Sequence, residues 1–551
     1  MSVKKDVLEG SEFYYDICII GSGPAGMVLV SELVDSRKSI CVLESGIERP
    51  TAYGNALRKV ESLGEIKIKP SSRERVLGGA STTWGGGSAP MDEIDFYRRS
   101  YLSHSFGWPF GLSEMVPFYK RASIYGFPKF EMFNDVGLEE IRKAGDVMVS
   151  LNRIEEKIFI AVDPPWNFGE KLRYVFDKPK IDLYMDATVL DLTSKINSDR
   201  EKYVAWANVV SSKNAKWKIK AKIFVIAAGG LESVRLLLLS DNLSPNGLGN
   251  NHDQVGRYLM NHPKGSFGTL RLNRPIKKLP YFFGYFNRGF AGYSGLRLSR
   301  DTQNSLGLGN SYIRFEPVFP WTDNSGVFAF LTIVKKVKIF INLWKKNQKK
   351  IVHLRDYNET PDDDKNDKTS SGSIWWLIAF FRILININSV ANYVFHRLFP
   401  SRDLSIKTIR LRNFMEMEPR WENRMTLSSN IDSNGKRRIL VNINTSPLDR
   451  KSLVVLHKIF NEEIKKIDLG ILESNLENEN PWPINFDASH HLGGTRMGDD
   501  PKTSVVNKDL RVHDVSNLYI SSGSVFPTSG CANPTYTICA LSVRLADTLK
   551  K

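Results

Sequence analysis

The sequence is poor in cysteine and lacks the spacing that is typical of a metal site. It has 4 cysteines in 551 residues, namely Cys18, Cys41, Cys531 and Cys539. Their spacing fits neither a zinc site nor a redox pair, so we expect buried apolar thiols and a reducing compartment. The histidines other than the pair at 490–491 are scattered along the chain. We interpret them as structural or surface residues and predict no metal.

Long apolar runs are missing as well. Residues 1–13 have neither the apolar core of a signal peptide nor a twin arginine, so we expect no secretory leader. No uninterrupted apolar stretch is long enough for a transmembrane helix, and no internal repeat is visible. We therefore expect a cytoplasmic protein, with peripheral attachment to the inner face of the membrane as an open alternative.

Positive charge is in excess. Lysine and arginine number 76 against 60 aspartates and glutamates, which gives a formal net charge of +16 and a pI near 9.4. This balance is compatible with nucleic acid, an anionic membrane surface or an acidic substrate as the partner. Nothing resembles a nucleic-acid-binding module, so no nucleic-acid partner is expected. The composition, 42% hydrophobic and 25% charged, indicates a globular protein, and the length predicts two or more domains.

The first strong motif is a glycine-rich segment between a predicted strand and a predicted helix. Residues 17–20 are apolar and mostly β-branched, which is typical of a buried parallel strand. Gly21, Gly23 and Gly26 follow in GxGxxG spacing, which allows a tight turn, close approach to a pyrophosphate and packing of the helix on the strand. Glu44 ends the next apolar run, where its carboxylate can accept ribose hydroxyls. The segment predicts a dinucleotide-binding βαβ unit without distinguishing FAD from NAD.

Four further segments identify a family. The chain reads VLGGASTTWGGGS at 76–88, IFVIAAGGLESVRLLLL at 223–239, GNNHDQVGRYLMNHP at 249–263, and HHLGGTRMGDD followed by NLYISSGSVFPTSGCANPTYTICALSVRLADTL at its C-terminal end. With the glycine-rich segment, and in this order, they resemble the glucose–methanol–choline (GMC) family of FAD-dependent oxidoreductases. HLGGTRMG and ANPT are most similar to the pyranose 2-oxidase and bacterial glycoside 3-oxidase branch.

The resemblance implies an α/β and α+β fold with two discontinuous domains. A Rossmann-like FAD-binding domain is expected over 12–100, 182–262 and 486–551. A substrate-binding domain, built on an antiparallel sheet with helices, is expected over 101–181 and 263–485. Within the second domain the pattern predicts strands at 406–411 and 441–445 and an amphipathic helix over 449–467.

The same resemblance implies FAD as the cofactor. The residues expected to bind it are Gly21, Gly23, Pro24, Ala25, Gly26, Glu44, Ser45, Gly78, Gly79, Ser81, Thr83, Trp84, Gly85, Val189, Ala228, Gly229, Glu232, Gly523, Ser524, Asn533, Pro534 and Thr535. Pyranose 2-oxidases carry, before the tryptophan, a histidine that is joined covalently to the flavin. Thr83 stands there in this chain, so non-covalent FAD is expected. Ser522 stands where many family members, though not pyranose oxidases, have an aspartate.

The chemistry of the family needs a base for the hydroxyl proton while a hydride leaves the carbinol carbon for flavin N5. A histidine suits this role because its pKa lies close to neutral pH. The family motif H-x-x-G-T falls on His491, and His490 is the less favoured candidate. The partner position is Asn533, which cannot be a base but can hold the alcohol oxygen through hydrogen bonds. The predicted catalytic residues are therefore His491 as base and Asn533 as the orienting group.

The family pattern stops over about 325–405. Seven lysines lie between 335 and 350 with no acid among them, and on a helical wheel they share one half, opposite apolar residues such as Phe330 and Phe340. A polar linker and a second apolar run, rich in tryptophan and phenylalanine, follow. One interpretation is a lid or an oligomer contact; the other is peripheral contact with an anionic membrane through 327–398.

The sequence thus predicts FAD-dependent oxidation of a CH–OH group of a sugar or glycoside to a ketone or aldehyde. Two alternatives stay open: a GMC-type dehydrogenase of a non-sugar alcohol, and a membrane-associated protein that retains a flavin fold without catalysis. The electron acceptor, whether oxygen, a quinone or a cytochrome, is not distinguished by the sequence.

Overall fold

The computed structural model describes residues 3–102, 107–134, 137, 139, 151–276, 281–282, 284–287, 289–336, 373–398 and 405–551. Its strands are β1 (Val3–Lys4), β2 (Glu12–Ile20), β3 (Ile40–Leu43), β4 (Glu61–Ser62), β5 (Ile154–Val162), β6 (Ile181–Tyr184), β7 (Thr188–Ile196), β8 (Lys202–Val210), β9 (Lys216–Ile226), β10 (Lys264–Ile276), β11 (Gly284–Asn287), β12 (Phe290–Leu298), β13 (Tyr312–Pro317), β14 (Ile406–Phe414), β15 (Arg424–Ile431), β16 (Arg437–Asn442), β17 (Gly470–Glu473) and β18 (Leu518–Ile520). Its α-helices are α1 (Pro24–Glu32), α2 (Ala52–Leu57), α3 (Glu93–Phe96), α4 (Leu112–Ala122), α5 (Phe168–Lys171), α6 (Gly229–Leu239), α7 (Arg300–Leu306), α8 (Ser325–Lys336), α9 (Ser373–Ile385), α10 (Ile387–Leu398), α11 (Pro447–Lys466) and α12 (Thr535–Lys550).

The first sheet has eight strands and is mostly parallel. Its order is β1-β6-β3-β2-β9-β8-β7, and β18 pairs with β9. Strands β3, β2, β9 and β18 run parallel, whereas β8 and β7 are antiparallel additions at one edge. The predicted strand at 17–20 is confirmed within β2, and these four residues are buried. The carboxyl ends of β2, β3 and β9 meet at one edge, which is where an open parallel sheet binds ligands.

The second sheet is antiparallel. Its order is β11-β12-β13-β14-β10-β17, with β5 paired to β12, and all seven strands come from the ranges predicted for the substrate-binding domain. The predicted strand at 406–411 is confirmed in β14, and the predicted helix over 449–467 corresponds to α11. Helix α11 buries Leu453, Leu456 and Phe460 in the apolar cluster that this sheet forms. The domain boundaries themselves stay a prediction.

A small third sheet joins β15, β16 and β4. The predicted strand at 441–445 was too long, because β16 ends at Asn442. Ser446 caps α11 by accepting a hydrogen bond from the Asp449 N–H at 3.0 Å, so the chain must turn before this position. All four cysteines are buried and free, as expected.

The segment outside the family pattern contains three described helices. Buried Trp321, Val327, Leu331, Val390 and Tyr393 form a small separate core that joins α8 and α10. Of the predicted basic helix, the structure describes only the part that forms α8. Most of its seven lysines lie outside the described residues. None of the described helices alone is long and apolar enough to cross a membrane. The pair 375–385 and 387–398, bent by 83°, satisfies the length and composition of a span together.

Candidate active site

The glycine-rich turn after β2 has little room for side chains. Gly21 has a φ of +108°, and its N–H donates to the Leu43 carbonyl at 2.8 Å. A Cβ built on Gly26 would overlap the Gly21 carbonyl oxygen, whereas a Cβ on Gly23 would have no neighbour within 4 Å. Gly23 is the N-cap of α1, which starts at Pro24. The turn thus packs tightly on its inner side and leaves its outer side open to a ligand.

Glu44 follows β3 and is held by the chain itself. Its carboxylate accepts hydrogen bonds from the Ser22 hydroxyl at 2.5 Å, the Ser22 N–H at 3.2 Å and the Gly46 N–H at 2.8 Å. Burial raises the pKa of Glu44, and these hydrogen bonds oppose the shift. These hydrogen bonds therefore fix the Glu44 carboxylate at the sheet edge, independently of a ribose.

A first cavity of about 250 Å³ opens at this edge. Fourteen of the residues predicted to bind the cofactor line it, namely Gly21, Gly23, Pro24, Ala25, Glu44, Ser45, Gly79, Val189, Ala228, Gly229, Glu232, Gly523, Pro534 and Thr535. Gly26, Gly78 and Ser524 do not line it. Gly26 is packed against the Gly21 carbonyl and Gly78 against Asn167 and Gly169. The Ser524 hydroxyl accepts a hydrogen bond from the Thr495 hydroxyl at 2.6 Å. The glycine turn, the fixed carboxylate and the cavity together fit a dinucleotide.

Glu232 has a different environment from the one expected. Its carboxylate contacts Arg73 at 2.6 Å, Arg75 at 2.9 Å and Arg235 at 2.8 Å. Burial alone would raise the pKa of Glu232, but the three guanidinium groups hold it well below its usual range. Arg73 and Arg75 also line the first cavity, so Glu232 positions two cations at its wall. Sequence reasoning missed both arginines, although they stand just before the GGASTTW segment.

A second cavity of about 410 Å³ adjoins the first. It is lined by the predicted residues Ser81, Thr83, Trp84, Gly85 and Asn533 and by side chains from β5, β12, β13 and β14. The two cavities share Pro24, Ser72, Ala80, Ser489, His490 and Thr535. A ligand in the first cavity would therefore meet a ligand in the second where the antiparallel sheet faces the end of the parallel one.

His491 lines the first cavity beside a buried carboxylate. Its Nε2 lies 3.6 Å from Asp487 Oδ2, which is too long for a hydrogen bond, and this buried nitrogen has no hydrogen-bond partner among the described residues. Burial would raise the pKa of Asp487, but His491 and donors from Lys69 and Asn261 lower it below its usual range. Asp487 is therefore ionised beside the His491 ring.

His490 and Asn533 lie on the wall of the second cavity. His490 Nδ1 is 2.8 Å from His262 Nδ1, and His262 Nε2 is 3.2 Å from the Ser529 carbonyl oxygen. Burial, together with the neighbouring His262 ring and the Lys264 ammonium group, lowers the pKa of His490 well below its ordinary value. Asn533 donates from Nδ2 to the Gly87 carbonyl at 2.8 Å, which fixes its amide. Sequence reasoning did not predict the contact of His262 with His490.

Comparison with known proteins shows what the chain around this site is similar to. A family model described as GMC oxidoreductase matches residues 419–542, which include both predicted catalytic residues. The fructose dehydrogenase large subunit of Gluconobacter japonicus is 25% identical over 60% of this chain, and the chain spans 48% of that protein. The 2-methyl-1,2-propanediol dehydrogenase of Mycolicibacterium austroafricanum is 22% identical over 97% of this chain and 95% of its own length.

Two further comparisons cover a short segment and the fold. The C-glycoside 3-oxidase of Arthrobacter globiformis is 41% identical over 68 residues, 12% of this chain and 13% of that protein. The structure of pyridoxine 4-oxidase from Mesorbium loti has a TM-score of 0.56 at 14% identity and covers 97% of this chain and 98% of its own. The predicted recognition of the GMC family, the mixed α/β fold and FAD as the cofactor are confirmed.

Proposed function

We propose that this FAD-dependent oxidoreductase of the GMC type oxidises a CH–OH group of a sugar or glycoside to a ketone or aldehyde. The observation that carries the proposal is the junction of two cavities, one fitted to a dinucleotide and one lined by Asn533, at the histidine pair. Non-covalent binding of FAD is part of the proposal, because Thr83 replaces the histidine that forms the covalent bond in pyranose 2-oxidases.

Different residues of the chain have separate roles in alcohol oxidation. FAD, when bound, supplies the hydride acceptor. His491 accepts the hydroxyl proton, and the ionised Asp487 at 3.6 Å stabilises the imidazolium that results. Asn533, whose amide is fixed by Gly87, holds the alcohol oxygen so that the C–H bond has one orientation. The glycine-rich walls let the substrate and the cofactor approach closely.

The sugar class is favoured by the names of two relatives, a fructose dehydrogenase and a C-glycoside 3-oxidase. A non-sugar alcohol is the second candidate, because the 2-methyl-1,2-propanediol dehydrogenase matches nearly the whole chain. Anaerobic reduction of the bound flavin with a panel of sugars, glycosides and simple diols separates the two. Bleaching by diols alone would exclude the sugar class, and a protein that binds FAD but is bleached by no alcohol would exclude both.

Replacement of His491 tests the assignment of the base. His491→Ala should retain FAD and slow anaerobic flavin reduction by at least about a hundredfold, as expected for loss of a general base. The matched variant is His490→Ala, on the adjacent residue, which should have the smaller effect. The measurement is the single-turnover reduction rate followed by flavin absorbance. A larger loss in His490→Ala than in His491→Ala would transfer the role of base to His490.

We also propose that α9 and α10 bind an anionic membrane surface, on the cytoplasmic side of a cell membrane. Both helices expose large apolar side chains, namely Trp376, Leu377, Ile378, Phe380, Phe381, Leu384, Ile385, Ile387, Phe395 and Leu398. Exposed apolar side chains in this number are typical of an interaction site. Seven lysines without an acid between 335 and 350 complement anionic lipid, which favours a membrane over a protein partner.

Co-sedimentation with vesicles tests this surface. The protein should bind vesicles of phosphatidylcholine with phosphatidylserine at physiological salt and bind pure phosphatidylcholine vesicles more weakly. Phe381→Glu with Ile385→Glu should remove most of the binding, because both side chains are exposed, at 58% and 81%. Ile196→Glu, at 60% exposure on β7, is the matched control and should leave binding unchanged. Variants that alter the oligomeric state but not vesicle binding would show a second copy of the chain as the occupant.

A further inference from the structure

Positive side chains are concentrated on the wall of the second cavity. Lys69, Lys264, Arg314 and Arg412 all line it, and no aspartate or glutamate is found among the described residues of its wall. Arg314 and Arg412 are only 6% and 8% exposed. Four positively charged side chains therefore face this cavity.

The two arginines come from one face of the antiparallel sheet. Arg314 of β13 stands directly opposite Arg412 of β14, and the next pair on the same face is Tyr312 with Phe414. The rings of that second pair are stacked at 4.5 Å with an angle of 4°. The strand register therefore places two guanidinium groups side by side on the face of the sheet that lines the second cavity.

The surrounding groups hold the cations in place. Arg314 Nη2 donates to Glu316 Oε1 at 2.8 Å, but Glu316 is not part of the cavity wall. Arg412 Nη1 donates to the Ser266 hydroxyl at 3.4 Å. The ammonium groups of Lys69 and Lys264 lie 3.5 Å and 5.8 Å from the centre of the Phe486 ring. Both ammonium groups thus lie beside the same aromatic ring.

From this geometry we infer that the substrate carries an anionic group, a carboxylate or a phosphate, which Arg314 and Arg412 bind in the second cavity. The inference rests on the proposed oxidation of a CH–OH group in the same cavity. Guanidinium groups match the planar geometry of a carboxylate or a phosphate, and the buried setting strengthens the attraction. Asn533 lines the same cavity, so one molecule can present its hydroxyl there and its anionic group to the arginines. The substrate class is thus a hydroxylated acid or phosphate ester.

The test compares matched substrates on the holoenzyme. Anaerobic flavin reduction is measured with glucose, glucuronate and glucose 6-phosphate, at low and at physiological salt. At least one of the two anionic compounds should be preferred to glucose by tenfold or more in reduction rate over apparent Kd, and which one is preferred distinguishes carboxylate from phosphate. Arg314→Gln with Arg412→Gln should reduce the preference for the anionic compound over glucose by at least tenfold. Arg410→Gln, on the same strand but paired to Asp323 outside the cavity wall, is the control.

A second measurement separates this inference from the proposed function. Titration of the oxidised holoenzyme with inorganic sulfate, followed by the flavin difference spectrum, should give saturable binding that is at least tenfold weaker in the double variant. If no alcohol reduces the flavin but sulfate binds in this way, the proposed function fails and the anion site stands. Absence of sulfate binding, or an equal preference in wild type and double variant, would overturn the inference. A double variant that changes only the flavin midpoint potential would overturn it too, because the arginines would then serve the cofactor.

Discussion

His457 is buried between α11 and the antiparallel sheet and is held in its neutral form. Asn413 donates its amide to the Phe267 carbonyl at 3.0 Å, so its Oδ1 is left to accept from His457 Nε2 at 2.6 Å. The other ring nitrogen then accepts from the Ser474 hydroxyl at 2.7 Å. Burial lowers the pKa of His457 to about 4. A proton on this ring would reverse the direction of the Ser474 hydrogen bond and place a charge in a buried setting.

The depressed pKa of His457 predicts a loss of stability in mild acid. The unfolded chain binds this proton below about pH 6.5, whereas the folded protein does so only below about pH 4, so stability falls as pH falls through that window. Between pH 7 and pH 5 the wild type should lose about 2 kcal/mol more than His457→Gln. Urea unfolding at the two pH values measures this. His252→Gln, at an exposed position, should behave like the wild type, and an equal loss in His457→Gln would contradict the prediction.

At the scale of elements, the contact between β2 and α1 depends on one glycine, which has no side chain. Gly26 lies where the helix passes the Gly21 carbonyl, and a Cβ there would overlap that oxygen. Helix α1 also contacts α12, so it cannot move away freely. Gly23, three residues earlier, faces open space instead. The two glycines of one motif therefore have separate functions, one in packing and one in ligand approach.

Alanine at these two positions should separate the functions. Gly26→Ala should lower the free energy of unfolding by about 1–3 kcal/mol, as overpacking does, and lower the flavin content as well. Gly23→Ala should leave the thermal unfolding of the flavin-free protein unchanged and weaken FAD binding only. Thermal unfolding and the ratio of flavin to protein absorbance check both results. Equal thermal effects of the two variants would show that the packing argument is wrong.

At the scale of the whole molecule, the sequence predicted the parts of the site that local constraints determine. The glycine spacing and the acid at Glu44 are set by the strands and the helix next to them. Contacts between residues that lie far apart in the sequence were not predictable from such local constraints. Arg314 and Arg412 meet only through the register of β13 and β14, and His262 meets His490 across 228 residues. Periodicity reports which face of a strand is buried, but it does not report which strand becomes its neighbour.

The order of the segments also decides when the cofactor cavity is completed during synthesis. Strand β18 is the parallel partner of β9, and it comes from residues 518–520 although β9 ends at Ile226. Asn533 and α12, which packs against α1, follow it. During synthesis, at about 5–20 residues per second, the N-terminal glycine turn is therefore made long before the residues that close its cavity. The nascent chain therefore carries an open cofactor site until α12 has been made, so cofactor capture depends on the synthesis of that helix.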